Sequence, residues 1–180
     1  MGKIVSNFFI SLDNVVEAPD QWHFSYFDDE MGAVVGRGVE NTKAFLMGRK
    51  LYQEWSQYWP DKTEDFGAFI NAVPKYVLSN SLTEATWSNT TILSGDEEQV
   101  AGRLREIKDQ YDGDITLSGS ATTVRWLLAH NLLDELRLLV HPVVVGHGQR
   151  LFEDTPQQPL RLLSHEAFKT GVLNLAYAPQ

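Results

Sequence analysis

Apolar residues recur along this chain with two periods, and the alternation between them sketches the order of elements. Lys3 to Ile10 is a short, almost unbroken apolar run that predicts a buried strand, closed by the turn residues Ser11-Leu12-Asp13-Asn14. Val15 to Phe24 has neither period and contains Pro19, which predicts a long loop. Phe27 to Val39 reads as a helix with Asp28-Asp29-Glu30 in its first turn, where the helix dipole favours negative charge. Strand patterns follow at Lys43 to Met47, Lys75 to Ser79, Thr90 to Leu93 and Ile115 to Leu117. Helix patterns start at Leu51, run from Glu97 to Gln110, and place Val124, Leu127, Leu128 and Leu132 on one stripe. Ser56 to Ala72 reads as loop and short helix. A long apolar strand is expected from Leu136 to Val145, ending at Gly146-His147-Gly148. Leu160 to Phe168 and Gly171 to Ala178 form a closing hairpin. About eight strands and four helices in this order predict one layered α/β domain over residues 1–180, its sheet mostly parallel until the final hairpin.

Three strand ends carry unusual turns. Met47 runs into Gly48-Arg49-Lys50-Leu51, Ser79 into Asn80-Ser81, and Leu117 into Ser118-Gly119-Ser120-Ala121-Thr122. A strand, a glycine turn and a helix start in that order suit an anion, because the helix N-terminus offers unpaired N–H groups and glycine admits close approach. Arg49 and Lys50 oppose a helix dipole, and a phosphate would give them a reason to be there. Each turn alone also matches an ordinary βα connection. Together, on parallel strands, they would converge at one rim, the place where open α/β sheets hold ligands.

Composition narrows the classes. The formal net charge of −9 argues against a general nucleic-acid or anionic-membrane surface. With no cysteine there is no disulfide, thiolate catalysis or cysteine-held zinc, and the histidines show no metal-binding spacing, so no metal site is expected. A cytoplasmic setting is expected from the absence of cysteine and of a secretory pattern. At the end of the long loop Trp22, His23, Phe24, Tyr26 and Phe27 form a dense aromatic group that suits either a pinned loop or a ligand cleft. Asp13 and Asp28 flank it as candidate proton-handling carboxylates, with Asp29 or Glu30 as alternatives to Asp28.

The order of motifs resembles the dihydrofolate reductase-like superfamily, and within it the RibD C-terminal reductase domain of the riboflavin pathway. Ser11-Leu12-Asp13-Asn14 resembles the family's S-L-D-G, and Met47-Gly48-Arg49-Lys50-Leu51-Tyr52-Gln53-Glu54 its M-G-R-x-T-Y-E segment. Leu133-Asp134-Glu135-Leu136, Pro142 to Gly148 and Leu151-Phe152 resemble the riboflavin-branch ending. The resemblance implies a three-layer fold with a twisted mixed sheet, and NADPH as hydride donor. It implies a homodimer, with Leu136 to Val145 as the strand that would pair or pack across a two-fold axis. It places the cofactor against Ile10, Val16, Gly48, Arg49, Lys50, Leu51, Ser79, Asn80, Gly119, Ser120, Ala121 and Thr122. Trp22, His23 and Phe27 would meet a small heterocyclic, imine or carbonyl substrate, with Asp28 and Asp13 as catalytic carboxylates. The activity implied is that of 5-amino-6-(5-phosphoribosylamino)uracil reductase, acting on a CH–OH or CH–NH group; the alternatives are dihydrofolate reductase-type activity and a non-catalytic nucleotide-binding module. Asn14 and Ser120 stand where the family has glycine, Leu117-Ser118-Gly119-Ser120 replaces the family's E-G-G and so lacks the glutamate that the riboflavin branch places near its substrate, and no C-x-x-C deaminase motif is present.

Overall fold

The alternation in Thr42–Gly48 sets the architecture, because its side chains fall on two different cores. Ala44 and Leu46 point to one face of the sheet, Phe45 and Met47 to the other, and all four are buried. The computed structural model describes residues 1–180. The strands are β1 (Lys3–Ser11), β2 (Thr42–Gly48), β3 (Lys75–Leu78), β4 (Thr90–Leu93), β5 (Asp114–Ser118), β6 (Glu135–His141), β7 (Leu160–Ala167) and β8 (Leu173–Pro179). The helices are α1 (Asp29–Asn41), α2 (Arg49–Tyr58), α3 (Asp65–Ala72), α4 (Glu97–Gln110) and α5 (Ala121–Ala129). One sheet runs β4-β3-β2-β5-β1-β6-β8-β7, parallel from β4 to β6, with β8 antiparallel to both its neighbours.

α4 and α5 cover one face, where Leu104, Val124 and Leu127 meet Ile4, Leu46 and Ile115. α2 and α3 cover the other face over β2 and β3, and α1 covers it over β6 through Met31 and Leu139. The expected layers and terminal hairpin are therefore present, with a fifth helix where the Ser56 to Ala72 stretch predicts only a short one. Its C-terminal carbonyls are held by Lys75, buried on β3. The Lys75 ammonium donates to the carbonyls of Ile70, Asn71 and Val73 at 2.8, 3.3 and 2.9 Å and lies 4.6 Å from the Trp87 ring. Burial pushes this amine down to about 8, while the three carbonyls and the indole face work the other way by favouring the ammonium.

One strand is shorter than its apolar pattern. β6 ends at His141, and Pro142 to Gly148 is a loop. Proline has no N–H to give a ladder, and Asp13 captures the amides of Val145 and Gly146 instead, at 3.0 and 2.8 Å. β6 also lies inside the sheet, paired on both edges, so a two-fold pairing through it is excluded. No helix is long and apolar enough to cross a membrane.

Candidate active site

Because β1 to β6 are parallel, their C-terminal ends share one rim. Gly48 and the α5 start meet there directly: a Cβ on Gly48 would sit 3.0 Å from both Ser120 Oγ and Thr123 Oγ1. Those hydroxyls bond each other at 2.6 Å, so Ser120 does not cap its own helix. Gly119 and Ser120 both have left-handed backbone, φ 72° and 62°, and a Cβ at Gly119 would meet open space. Serine is strained in that region, which makes this turn a cradle held by its surroundings. α2 begins at Gly48, also without a side-chain cap, whereas α1 and α4 are capped by Asp28 and Asp96. Of the three uncapped helix starts, those of α2, α3 and α5, the first and last lie at the rim. Arg49 and Lys50 stand exposed beside them, and neither makes an ion pair.

Next to this junction lies a cavity of about 320 Å³ lined by Ser79, Asn80, Glu97, Thr122, Thr123 and Trp126, among others. Ser79 and Asn80 reach it with their side chains already engaged. Ser79 Oγ accepts from the amides of Ser81 and Leu82, and the Asn80 amide clasps both backbone groups of Gly95. Glu97 lies 3.4 Å from His130, which stacks on Trp126. Ala121 is wholly buried, Leu51 half-buried, and Ile10 and Val16 belong to the α4–α5 core, so these four offer backbone or a wall rather than polar side chains. A larger groove of about 490 Å³ lies at the opposite, N-terminal ends of β3 and β4, beside Pro60, Asn71 and Trp87. It holds no carboxylate or histidine.

The second half of the site is built at the ends of β1 and β6, on the α1 face. Asn14, in left-handed backbone with φ 72°, turns the chain out of β1, a conformation asparagine tolerates where the family has glycine. The loop then folds back so that His23 stacks on Phe9 of β1, ring centroids 4.4 Å apart, with the Phe24 ring tilted against it at 4.2 Å. Trp22, His23 and Tyr26 surround His141 edge-on at 5.3, 6.0 and 5.6 Å. The Trp22 indole donates to the Glu17 carbonyl at 3.2 Å. Phe27 is exposed on the rim of this group. His23 and His141 are buried, and burial pushes both imidazoles below their ordinary pKa; the neighbouring His141 adds to the effect on His23.

The two expected carboxylates have other occupations here. Asp13 accepts from Ser11 Oγ at 2.6 Å as well as from the two amides of the 142–148 loop, and these bonds hold its carboxyl at about 2. A group that acidic stays ionised at neutral pH and braces a loop. Asp28 caps α1, accepting from the Met31 amide at 2.9 Å. His141 is the residue the sequence reading passed over. The signal was the alternation Arg137, Leu139, His141, which puts the imidazole on the α1 face of β6, but the apolar run beyond it disguised the strand end.

A match to the RibD C-terminal domain family extends over residues 2–174. The fold is that of a dihydrofolate reductase-like α/β protein. Dihydrofolate reductase from Enterococcus faecalis, solved with NADP(H), superposes with a TM-score of 0.65 at 11% identity over 99% of this chain and 96% of that one. The diaminohydroxyphosphoribosylaminopyrimidine deaminase/5-amino-6-(5-phosphoribosylamino)uracil reductase of Thermotoga maritima superposes with a TM-score of 0.70 at 14% identity, over 99% of this chain and 57% of that longer one. In sequence, the uncharacterised protein YyaP of Bacillus subtilis (strain 168) is 28% identical over 182 residues, 97% of this chain and 94% of that one. The chain belongs to the RibD C-terminal domain family.

Proposed function

We propose that this protein is an NADPH-dependent reductase of a small heterocycle bearing a carbonyl or imine. The observation that carries the reading is the junction of Gly48 with Ser120 and Thr123, flanked by two unpaired cations. A dinucleotide fits it: the open backbone at Gly119 and the uncapped starts of α2 and α5 suit a pyrophosphate, and Arg49 and Lys50 suit an added phosphate on the adenosine ribose. The cavity beside Trp126 suits the adenine end. When bound, the nicotinamide supplies the hydride. The chain's own part is to hold it at the rim, to present the substrate from the α1 face, and to exclude water with the Asn14–Phe27 loop.

The names of similar structures point to a uracil or pterin ring, and 5-amino-6-(5-phosphoribosylamino)uracil is the first substrate to try. A saturable change in NADPH fluorescence, followed by oxidation of NADPH when that uracil is added, tests both steps. The engagement of Asp13 and Asp28 favours a second reading, a nucleotide-binding module without turnover. Binding without oxidation on any uracil or pterin would select it.

The homodimer moves from β6 to β7 in this reading. β7 is one of the two edge strands of the sheet, exposed on both faces, with Leu162 and Leu163 at 47% and 43% exposure. Light scattering should give twice the chain mass, falling to the monomer in Leu162→Lys; a monomeric wild type removes the dimer.

A further inference from the structure

Reduction of a C=N or C=O bond needs a proton as well as a hydride, and every buried or half-buried carboxylate near the loop is already held. Asp13 is held by Ser11 and two amides, Asp28 by the Met31 amide and Glu30 by the Lys169 amide. Glu17, exposed, is held by the Gln149 amide, and Asp20 is exposed. What remains are two buried imidazole nitrogens with no hydrogen-bond partner, His23 Nδ1 and His141 Nε2. Such atoms are rare in folded proteins, and each calls for an explanation.

His141 has a defined tautomer. Its Nδ1 lies 2.8 Å from the Leu139 carbonyl, which only accepts, so Nδ1 carries the hydrogen and Nε2 of the neutral ring is a bare acceptor. The ring sits opposite Ser11 at the C-terminal end of β6, next to β1 on the substrate side of the rim. Around it stand Phe9 from β1 and Trp22, His23 and Tyr26 from the loop. Arg137, on the same face of its own strand, is neutralised by Glu135 and Asp114. His23 is the only other titratable imidazole in this cage, and its flat ring, stacked on Phe9 with Phe24 tilted against it, occupies the kind of slot a planar heterocycle fills.

Resting on the reductase reading above, we propose that His141 is the proton-handling residue of the site, covered by the Val15–Phe27 loop until a substrate nitrogen or oxygen replaces His23 against it. Nε2 takes a proton from solvent when the loop opens, giving the imidazolium; hydride then adds to the carbon of the C=N or C=O bond, the π pair moves to the heteroatom, and that atom takes the Nε2 proton, returning His141 to its neutral form. The electron pair comes from the reduced nicotinamide dinucleotide.

The test follows the imidazole nitrogens by NMR between about pH 5 and about pH 8, where histidine titrates. It also measures carbethoxylation of His141 by diethyl pyrocarbonate, in the wild type and in Trp22→Ala, with Tyr26→Ala as the second loop variant. The expected result is a reversible titration of His141 in the folded protein from the Nδ1–H tautomer. Carbethoxylation should run about tenfold faster once the loop is weakened, as expected for a residue reached by local opening. A His141 that stays in one tautomer until the protein unfolds, and that resists the reagent in both loop variants, is a sealed core histidine and overturns the proposal. NADPH titration of the same samples separates the two ideas. Binding with a silent His141 sinks this inference alone, and absent binding sinks the reductase reading beneath it.

Discussion

The two halves of the rim are made of different material. The half at Gly48 and Gly119 is backbone: left-handed residues, uncapped helix starts and a glycine whose missing Cβ would lie 3.0 Å from two hydroxyls, open to solvent and edged by cations. The half at β1 and β6 is side chain: imidazoles and aromatic rings packed with centroids 4 to 6 Å apart, with polar atoms left unpartnered in the interior. The first suits a constant ligand, because N–H groups and helix ends recognise phosphate whatever else the molecule carries. The second can change with substrate, because its shape depends on which side chains one loop lays against one strand.

The largest expected effect comes from spoiling the backbone half. Gly48→Val would drive two methyls into Ser120 and Thr123, and such overpacking costs roughly 1–3 kcal/mol of stability. NADPH affinity should fall about a hundredfold or more as the cradle opens, since phosphate recognition here depends on main-chain approach. A fluorescence titration beside a thermal melt checks both, and unchanged affinity would mean the phosphates lie elsewhere.

Next in size is the charge at that edge. Arg49→Ala and Lys50→Ala should each weaken NADPH by about tenfold or more, on the scale of a charge-assisted hydrogen bond of ~1.5–3 kcal/mol. NADH should hardly change. Equal losses for both cofactors would place the cations on the shared pyrophosphate rather than on the extra phosphate.

Why one half was legible in sequence and the other was not follows from distance along the chain. Gly48-Arg49-Lys50 and Ser118-Gly119-Ser120 are local signatures, each a turn the residues themselves demand. Their meeting follows from parallel strands alone. The aromatic half joins His23 to His141 across more than a hundred residues, and nothing local marks the partner. The end of β6 is hidden for the same reason: Val143 to Val145 look like strand, but the distant Asp13 takes the amides of Val145 and Gly146 and Val143 turns back on the His141 carbonyl. Asp28 was placed correctly at the head of its helix, but a sequence does not reveal whether a carboxylate turns back to cap or inward to a cleft.

Smaller effects separate structural from chemical roles among the acids. Asp13 has a carboxyl held below its ordinary value, at about 2 against 3.8, so its ionised form is favoured by folding. Its contribution is complete above pH 3.8 and fades as pH falls toward 2. Asp13→Asn should therefore flatten the acid limb of a stability curve in that window and loosen amide exchange at Val145 and Gly146. An unaltered acid limb would show that the carboxylate braces nothing. For Asp28, Ala should cost about 1 kcal/mol as a lost helix cap, while Asn, itself a good cap, should cost almost nothing. If Asp28→Asn kept full stability yet abolished turnover, the proton would come from Asp28 and not from the histidine side of the site.

The central claim is that the Gly48 and Gly119 turns together hold a phosphorylated dinucleotide, and its most direct measurement is a crystal of the protein soaked with NADPH. The account predicts density for the pyrophosphate between Gly48 and Ser120, with the nicotinamide toward β1 and the Asn14–Phe27 loop. An empty rim at a saturating soak, or a dinucleotide seated in the groove beside Asn71 and Trp87, would contradict it.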